Sequence, residues 1–387
     1  MSAATPRMQA PWLDGWLAGS AATLALVGVI MVASASITMA DESLGQPFYY
    51  LVRQLMYLAV GTLCAGFFLL VPLRAWEQGG PLLLAAALVL LVAVLVPGVG
   101  HEVNGARRWL RLGAMNLQAS EPARLLVLLY LCGYVARRGA AMREGVRGLL
   151  LPMAVLFVVG LLLMLQPDFG ATTVLFAMAL GVLFVGGMRL QHLLLGLGTG
   201  GLALAALALS SEYRMRRLTA FLDPWADPWD SGFQLTQSLI AIGRGEWFGV
   251  GLGGSVQKLF YLPEAHTDFV FAVFAEEFGL LGVALLLTLY GVLLWRAYAI
   301  SAAAAAAGRE FAACLAFGLG TWIGAQAFIN IAVNMGLLPT KGLTLPMVSF
   351  GGSSLLVTCA AIGLLLRVHY ELVVDGYARR RPARRAS

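Results

Sequence analysis

The chain is 387 residues long, 60% hydrophobic and only 12% charged, which leaves too little polar surface for a water-soluble globule and makes lipid the solvent for much of it. A formal charge of +6 is small for this length, and no basic face is visible although all but two of the 26 basic residues are arginine; a nucleic-acid partner is therefore not expected. Cys64, Cys132, Cys314 and Cys359 stand singly in apolar runs, with neither zinc nor disulfide spacing, and read as small buried hydrophobes.

The first apolar run is long enough to span and lacks a short h-region with a cleavage site, so it is expected to be a retained helix rather than a signal peptide. Ten membrane-spanning helices are predicted, near residues 14–39, 48–71, 80–98, 120–136, 148–165, 170–187, 190–210, 268–297, 311–336 and 351–374. The fold class is thus all-α and polytopic: one transmembrane domain over 1–374, a basic tail over 375–387, and one long segment, 211–267, between spans seven and eight. An even count puts both termini on one side. That side is expected to be the cytoplasm, because Arg137, Arg138, Arg143 and Arg147, with Arg379, Arg380, Arg381, Arg384 and Arg385 of the tail, then obey the positive-inside rule.

Other basic residues break that rule. Arg107, Arg108 and Arg111 fall in the outer loop between spans three and four, Arg124 at the outer end of span four, and Arg214, Arg216 and Arg217 at the start of the long outer segment; Lys258 and Lys341 are outside as well. Two uses fit: an anionic ligand at the outer face, or segments resting on anionic headgroups. Within the long segment, 232–244 reads as a short amphipathic or re-entrant helix. The polar island 338–354, LPTKGLTLPMVSFGGSS, breaks regular helix, and such backbone at membrane depth is tolerated where it lines a cavity or is buried in protein.

Acidic residues number only 20. Asp268 sits where the long segment turns into span eight, behind Pro263, and reads either as a helix cap or as a general base, kept ionised at neutral pH by the helix dipole. Glu276 and Glu277 lie deeper on that helix and need partners there, most simply on a neighbouring helix. Asp168 and Arg124 share the outer end, where a salt bridge between them is expected. No two-histidine metal motif is present; a magnesium or manganese ion held jointly by Asp268 and a phosphorylated substrate remains open.

Several long motifs occur in order: NGARRWLRLG at 104–113, QPDFGATT at 166–173, GFQLTQSLIAIGRGEWFGVGLGGSVQKLFYLPEAHTDF at 232–269 with its continuation to Gly279, and NMGLLPTKGLTLPMVSFGGSS at 334–354. Together, and over nearly the whole chain, they resemble the SEDS family of peptidoglycan glycosyltransferases. The stretch 339–346 is similar to the cell-division branch more than to the rod-shape branch. The resemblance implies a ten-helix fold that polymerises lipid II into glycan strands at the division septum of the bacterial inner membrane, releasing undecaprenyl pyrophosphate. It implies Asp268 as the catalytic residue, Arg108 and Arg124 as basic positions near the site, and Asp168 as the acidic partner of Arg124. Its motifs add Glu264, His266, Thr267, Lys341, Ser349, Ser353 and Ser354 as substrate-binding candidates. Two departures stand out: Arg124 where relatives often carry lysine, and Phe350 where they carry tyrosine. Implied partners are a class B penicillin-binding protein and other divisome proteins. A lipid II flippase and a noncatalytic divisome scaffold would use the same spans, but the charges concentrate at one face instead of midplane.

Overall fold

The computed structural model describes residues 12–103, 105–113, 115–209, 221–230, 232–340 and 342–380. Asp14 opens the first helix by accepting the Leu17 N–H at 3.0 Å, so a carboxylate satisfies a donor that the helix start leaves free. The helices are α1 (Gly15–Leu44), α2 (Tyr49–Leu70), the short α3 (Leu73–Gln78) and α4 (Gly80–Ala93), then α5 (Ser120–Glu144), α6 (Arg147–Leu165), α7 (Phe169–Val185) and α8 (Leu190–Leu209), and finally α9 (Phe233–Arg244), α10 (Val270–Ala306), α11 (Glu310–Asn334) and α12 (Gly352–Arg380). A helix lies over each of the ten predicted stretches. Among the described residues α1, α2, α5, α6, α10, α11 and the 352–374 part of α12 are long and apolar enough to cross a membrane; α4 and α7 are shorter apolar helices. The protein is a multi-pass helical membrane protein. Side chains such as Leu63, Leu70, Phe157 and Leu202 project from the bundle, as helices that are apolar all round do when lipid is their solvent.

The closest packing is of α12 on α2, α10 on α11, α4 on α5 and α1 on α10. Gly363 permits the first of these, since a Cβ there would lie 2.3 Å from the Ala65 carbonyl oxygen.

A small sheet joins α4 to α5, an element that the loop reading of residues 100–118 did not contain. Strands β1 (Gly100–Val103), β2 (Ala106–Leu112) and β3 (Met115–Gln118) pair antiparallel in that order. The two-residue alternation of β2 sends Arg107 and Arg111 to one face and Arg108 to the other. Arg107 pairs with Glu102 at 3.0 Å and Arg111 meets the His101 ring at 2.6 Å, both exposed. Arg108 turns inward.

α10 is broken at Gly279, whose φ of +63° and ψ of −166° lie outside the helical region. The break exposes backbone groups, and residues 246–251 fill it: Val250 N–H donates to Glu276 O at 2.9 Å, Gly251 N–H to Glu277 O at 3.1 Å, and Leu280 N–H to Glu246 O at 2.9 Å. Just above, Glu276 accepts from the Ser255 hydroxyl at 2.5 Å and Arg244 at 3.3 Å, while Glu277 accepts from Lys258 at 2.6 Å and the Ser34 hydroxyl at 2.7 Å. Both carboxylates are thus paired, though their partners come mainly from the long segment rather than from a neighbouring spanning helix. Lys258 is only 8% exposed and is committed to Glu277, so it is not a cation presented to a ligand.

Candidate active site

Residues 261–269 form a turn that leads into α10, and Asp268 lies half-buried in it. Its carboxylate does not cap the helix: the N-cap position is Phe269, with no capping side chain of its own. The capping acceptor comes instead from α11, where Asn334 Oδ1 takes the Ala272 N–H at 3.2 Å. The Asp268 carbonyl oxygen accepts from Asn330 Nδ2 at 2.8 Å and Asn334 Nδ2 at 3.0 Å. With its backbone held by another helix, the Asp268 side chain is left for another task.

Three charged neighbours surround it. Glu264 is fixed by Thr267, whose hydroxyl donates to Glu264 Oε2 at 2.6 Å. Asp168 caps α7 through Oδ1, which accepts the Ala171 N–H at 3.0 Å, while its Oδ2 accepts from Ser120 and from Gln118 Nε2, each at 3.0 Å. Arg108 Nε donates to Gln166 O and its Nη2 to Pro167 O, both at 2.9 Å, which ties the sheet to the turn carrying Asp168. Burial, and then the negative charges of Glu264 and Asp168, push the Asp268 carboxyl up to about 7, with Arg108 opposing them. This corrects the expectation of a fully ionised acid: burial and like charge outweigh the dipole of α10. His266, 6% exposed, has its ring 4.5 Å from that of Tyr50 and 5.7 Å from that of Phe350, and burial lowers its pKa despite the nearby Glu264.

Other predicted residues occupy different roles. Arg124, 1% exposed, pairs with Glu121 one turn earlier, donates to Gln326 at 3.4 Å and lies 5.2 Å from the Trp322 ring centroid. The Arg124–Asp168 salt bridge does not form, because Glu121 on its own helix face takes the guanidinium and Ser120 and Gln118 take the Asp168 oxygen. The three serines make hydrogen bonds within the protein. Ser349 accepts the Leu345 N–H at 2.8 Å, Ser353 donates to Asn116 O at 3.0 Å, and Ser354 accepts from Thr344 at 2.9 Å. All three are buried and fold the 342–354 island. Lys341, with Arg214, Arg216, Arg217 and residues 381–387 of the tail, lies outside the described residues.

Sequence reasoning passed over the buried stripe Trp322, Gln326, Asn330 and Asn334 of α11. Its four-residue spacing on an apolar span was the available signal, since uncompensated amides at such depth are costly. Gln326 Nε2 reaches Thr344 O at 3.1 Å and Ser354 Oγ at 3.2 Å, and Asn330 Nδ2 reaches Leu343 O at 2.6 Å, so one helix face anchors the polar island as well as Asp268.

A family model described as cell cycle protein, covering FtsW, RodA and SpoVE, matches residues 16–373. The chain belongs to this family. The probable peptidoglycan glycosyltransferase FtsW of Thioalkalivibrio sulfidiphilus is 58% identical over 94% of this chain and 91% of its own length, and that of Nitrosococcus halophilus is 56% identical over 96% and 95%. Among solved structures, a chain from work on the structural coordination of polymerization and crosslinking by a peptidoglycan synthase complex has 33% identity and a TM-score of 0.78, covering 93% of this chain and 98% of that one. RodA of Thermus thermophilus has 32% identity and a TM-score of 0.67, with 92% and 96% covered. An FtsW/RodA/SpoVE-type bundle therefore carries the Asp268 cluster at one of its ends.

Proposed function

We propose that Asp268 is the general base of this peptidoglycan glycosyltransferase, acting on lipid II at the outer face of the membrane. One observation carries the reading: a half-buried carboxylate at about 7, set among Glu264, Asp168 and Arg108 at one end of the bundle. Its carboxylate takes the proton of the acceptor sugar's 4-hydroxyl. The oxygen so freed bonds to the donor's anomeric carbon, and the bond from that carbon to the pyrophosphate oxygen breaks. Undecaprenyl pyrophosphate leaves without needing a proton, and Arg108 supplies positive charge beside the site. Among the described residues no three side chains form a metal-holding cluster, so a magnesium or manganese ion would be held by Asp268 only together with the substrate's pyrophosphate, where it would supply charge neutralisation for the departing group.

In this reading both termini are cytoplasmic and the enzyme serves the division septum beside a class B penicillin-binding protein and other divisome proteins. The similarity to division-type relatives above 50% identity supports the septal role, and the synthase complex among the structural relatives supports the crosslinking partner. The test is reconstitution of the purified chain and its Asp268→Asn variant with lipid II. Glycan chains from the parent and none from the folded variant are expected. Polymer from the variant would sink the assignment; lipid II crossing the bilayer without polymer would mean a flippase, and neither outcome a scaffold.

A further inference from the structure

We propose that Asn330 and Asn334 are positioning residues for the reaction, setting the Asp268 carboxylate through its main chain; the inference rests on Asp268 being the base. Asp268 lies outside the regular hydrogen bonding of α10, in a turn held to itself by Thr267 N–H and Phe269 N–H donating to Glu264 O at 3.2 and 3.1 Å, and to the 342–354 island by Phe350 N–H donating to His266 O at 2.9 Å. The two asparagines supply the link to α11.

Asn330 Nδ2 is shared between Asp268 O at 2.8 Å and Leu343 O at 2.6 Å. Both partners are carbonyl oxygens, so chemistry alone decides which way the amide faces. The second carbonyl belongs to the stretch beside Gly342, where an added Cβ would stand 3.1 Å from Asp268 Oδ2. One amide therefore fixes the separation between the carboxylate's backbone and the chain that flanks it. Asn334 Nδ2 adds a bond to the same Asp268 carbonyl at 3.0 Å, its Oδ1 caps α10 at Ala272, and its own carbonyl accepts from Ser238 of α9 at 2.8 Å. Three helices meet on this residue.

The cost of the arrangement points the same way. Asn330 is 2% exposed, and its Oδ1 has no partner among the described residues. A buried acceptor left unpaired is unfavourable, and what offsets it here is the donor side of the amide, bonded to the catalytic turn at Asp268 O and to the flanking stretch at Leu343 O. Misplacing a reacting group by about 1 Å is enough to cost about 100-fold in rate.

The experiment uses the full chain reconstituted with lipid II, comparing parent, Asn330→Leu, Asn330→Ser and Asp268→Asn by kcat, KM and pH profile. Asn330→Leu, which removes both donors at similar volume, is expected to lower kcat about 100-fold, and Asn330→Ser, which keeps one hydroxyl donor, about tenfold, with KM within about twofold. The loss persists on the alkaline plateau, where Asp268 is fully ionised; that separates a misplaced base from a mistitrated one. Should Asn330→Leu fail to yield a monodisperse protein, Asn334→Asp decides, because it keeps the Oδ1 cap of α10 while losing the donors; its plateau kcat is expected to fall about tenfold. The proposal is overturned if a folded variant keeps the parental plateau kcat, or if KM rises with kcat unchanged. If Asp268→Asn is inactive while the asparagine variants run at the parental rate, positioning fails alone; if Asp268→Asn polymerises, the assignment of the base has failed first.

Discussion

Burial, and with it the charges of Glu264 and Asp168, outweighs the Arg108 guanidinium in pushing the Asp268 carboxyl up to about 7, and the charged neighbours can be removed one at a time. Glu264→Gln deletes a negative neighbour, lowers the Asp268 pKa and moves the acid limb of the rate profile to lower pH. Arg108→Ala deletes the positive neighbour and moves that limb to higher pH. Opposite shifts in purified variants are the expected result; shifts of the same sign would contradict the electrostatic account. The same carboxyl carries a stability cost whose sign follows from linkage. Its folded value of about 7 lies above the unfolded value of 3.8, so its contribution to stability is present below the unfolded value and is lost as pH rises through about 7. Asp268→Asn is therefore expected to melt at a higher temperature than the parent at about pH 8 and at nearly the same temperature in acid. Thermal scans at the two pH values measure this directly.

The long segment acts on α10 as a splint. Residues 246–251 complete the hydrogen bonds broken at Gly279, and residues 255–258 satisfy Glu276 and Glu277. Lys258→Met alone leaves the Glu277 carboxylate, 1% exposed, without its counter-charge and is expected to cost about 3–5 kcal/mol, whereas Lys258→Met with Glu277→Leu recovers most of that loss. A double-mutant cycle in chemical denaturation reads the coupling, and additive losses would show that the pair is not coupled. This element was legible in part. The amphipathic pattern placed 232–244 close to the observed Phe233–Arg244, and the glutamates were recognised as needing partners. What they pair with was not, because an ion pair between an irregular turn and a helix position 19 residues later leaves no periodic signature.

At the scale of the whole molecule, a helix lies over each predicted apolar stretch, and seven of the described helices are long and apolar enough to cross a membrane, because lipid imposes a length and a composition that the sequence displays openly. Standing against the expected positive-inside pattern marked Arg108 and Arg124 as residues to weigh, and Arg108 does lie beside Asp268. Arg108 and Arg124 nevertheless have different surroundings: Arg108 sits on an inward-facing position of β2, while Arg124 is enclosed by Glu121, Gln326 and Trp322. The short alternation of residues 106–112 was masked by its charge, and the amide stripe of α11 by the apolar residues around it. Ser349, Ser353 and Ser354 bring the polar island to the site end through hydroxyl bonds within the protein, a use that motif resemblance alone does not separate from ligand binding. The proposed reaction turns on the Asp268 carboxylate, so the most direct measurement is the pH dependence of glycan polymerisation by the purified chain supplied with lipid II. The account predicts a single rise through about 7 to a plateau, and no polymer from folded Asp268→Asn at any pH; a profile flat through neutrality, or polymer from the variant, would contradict it.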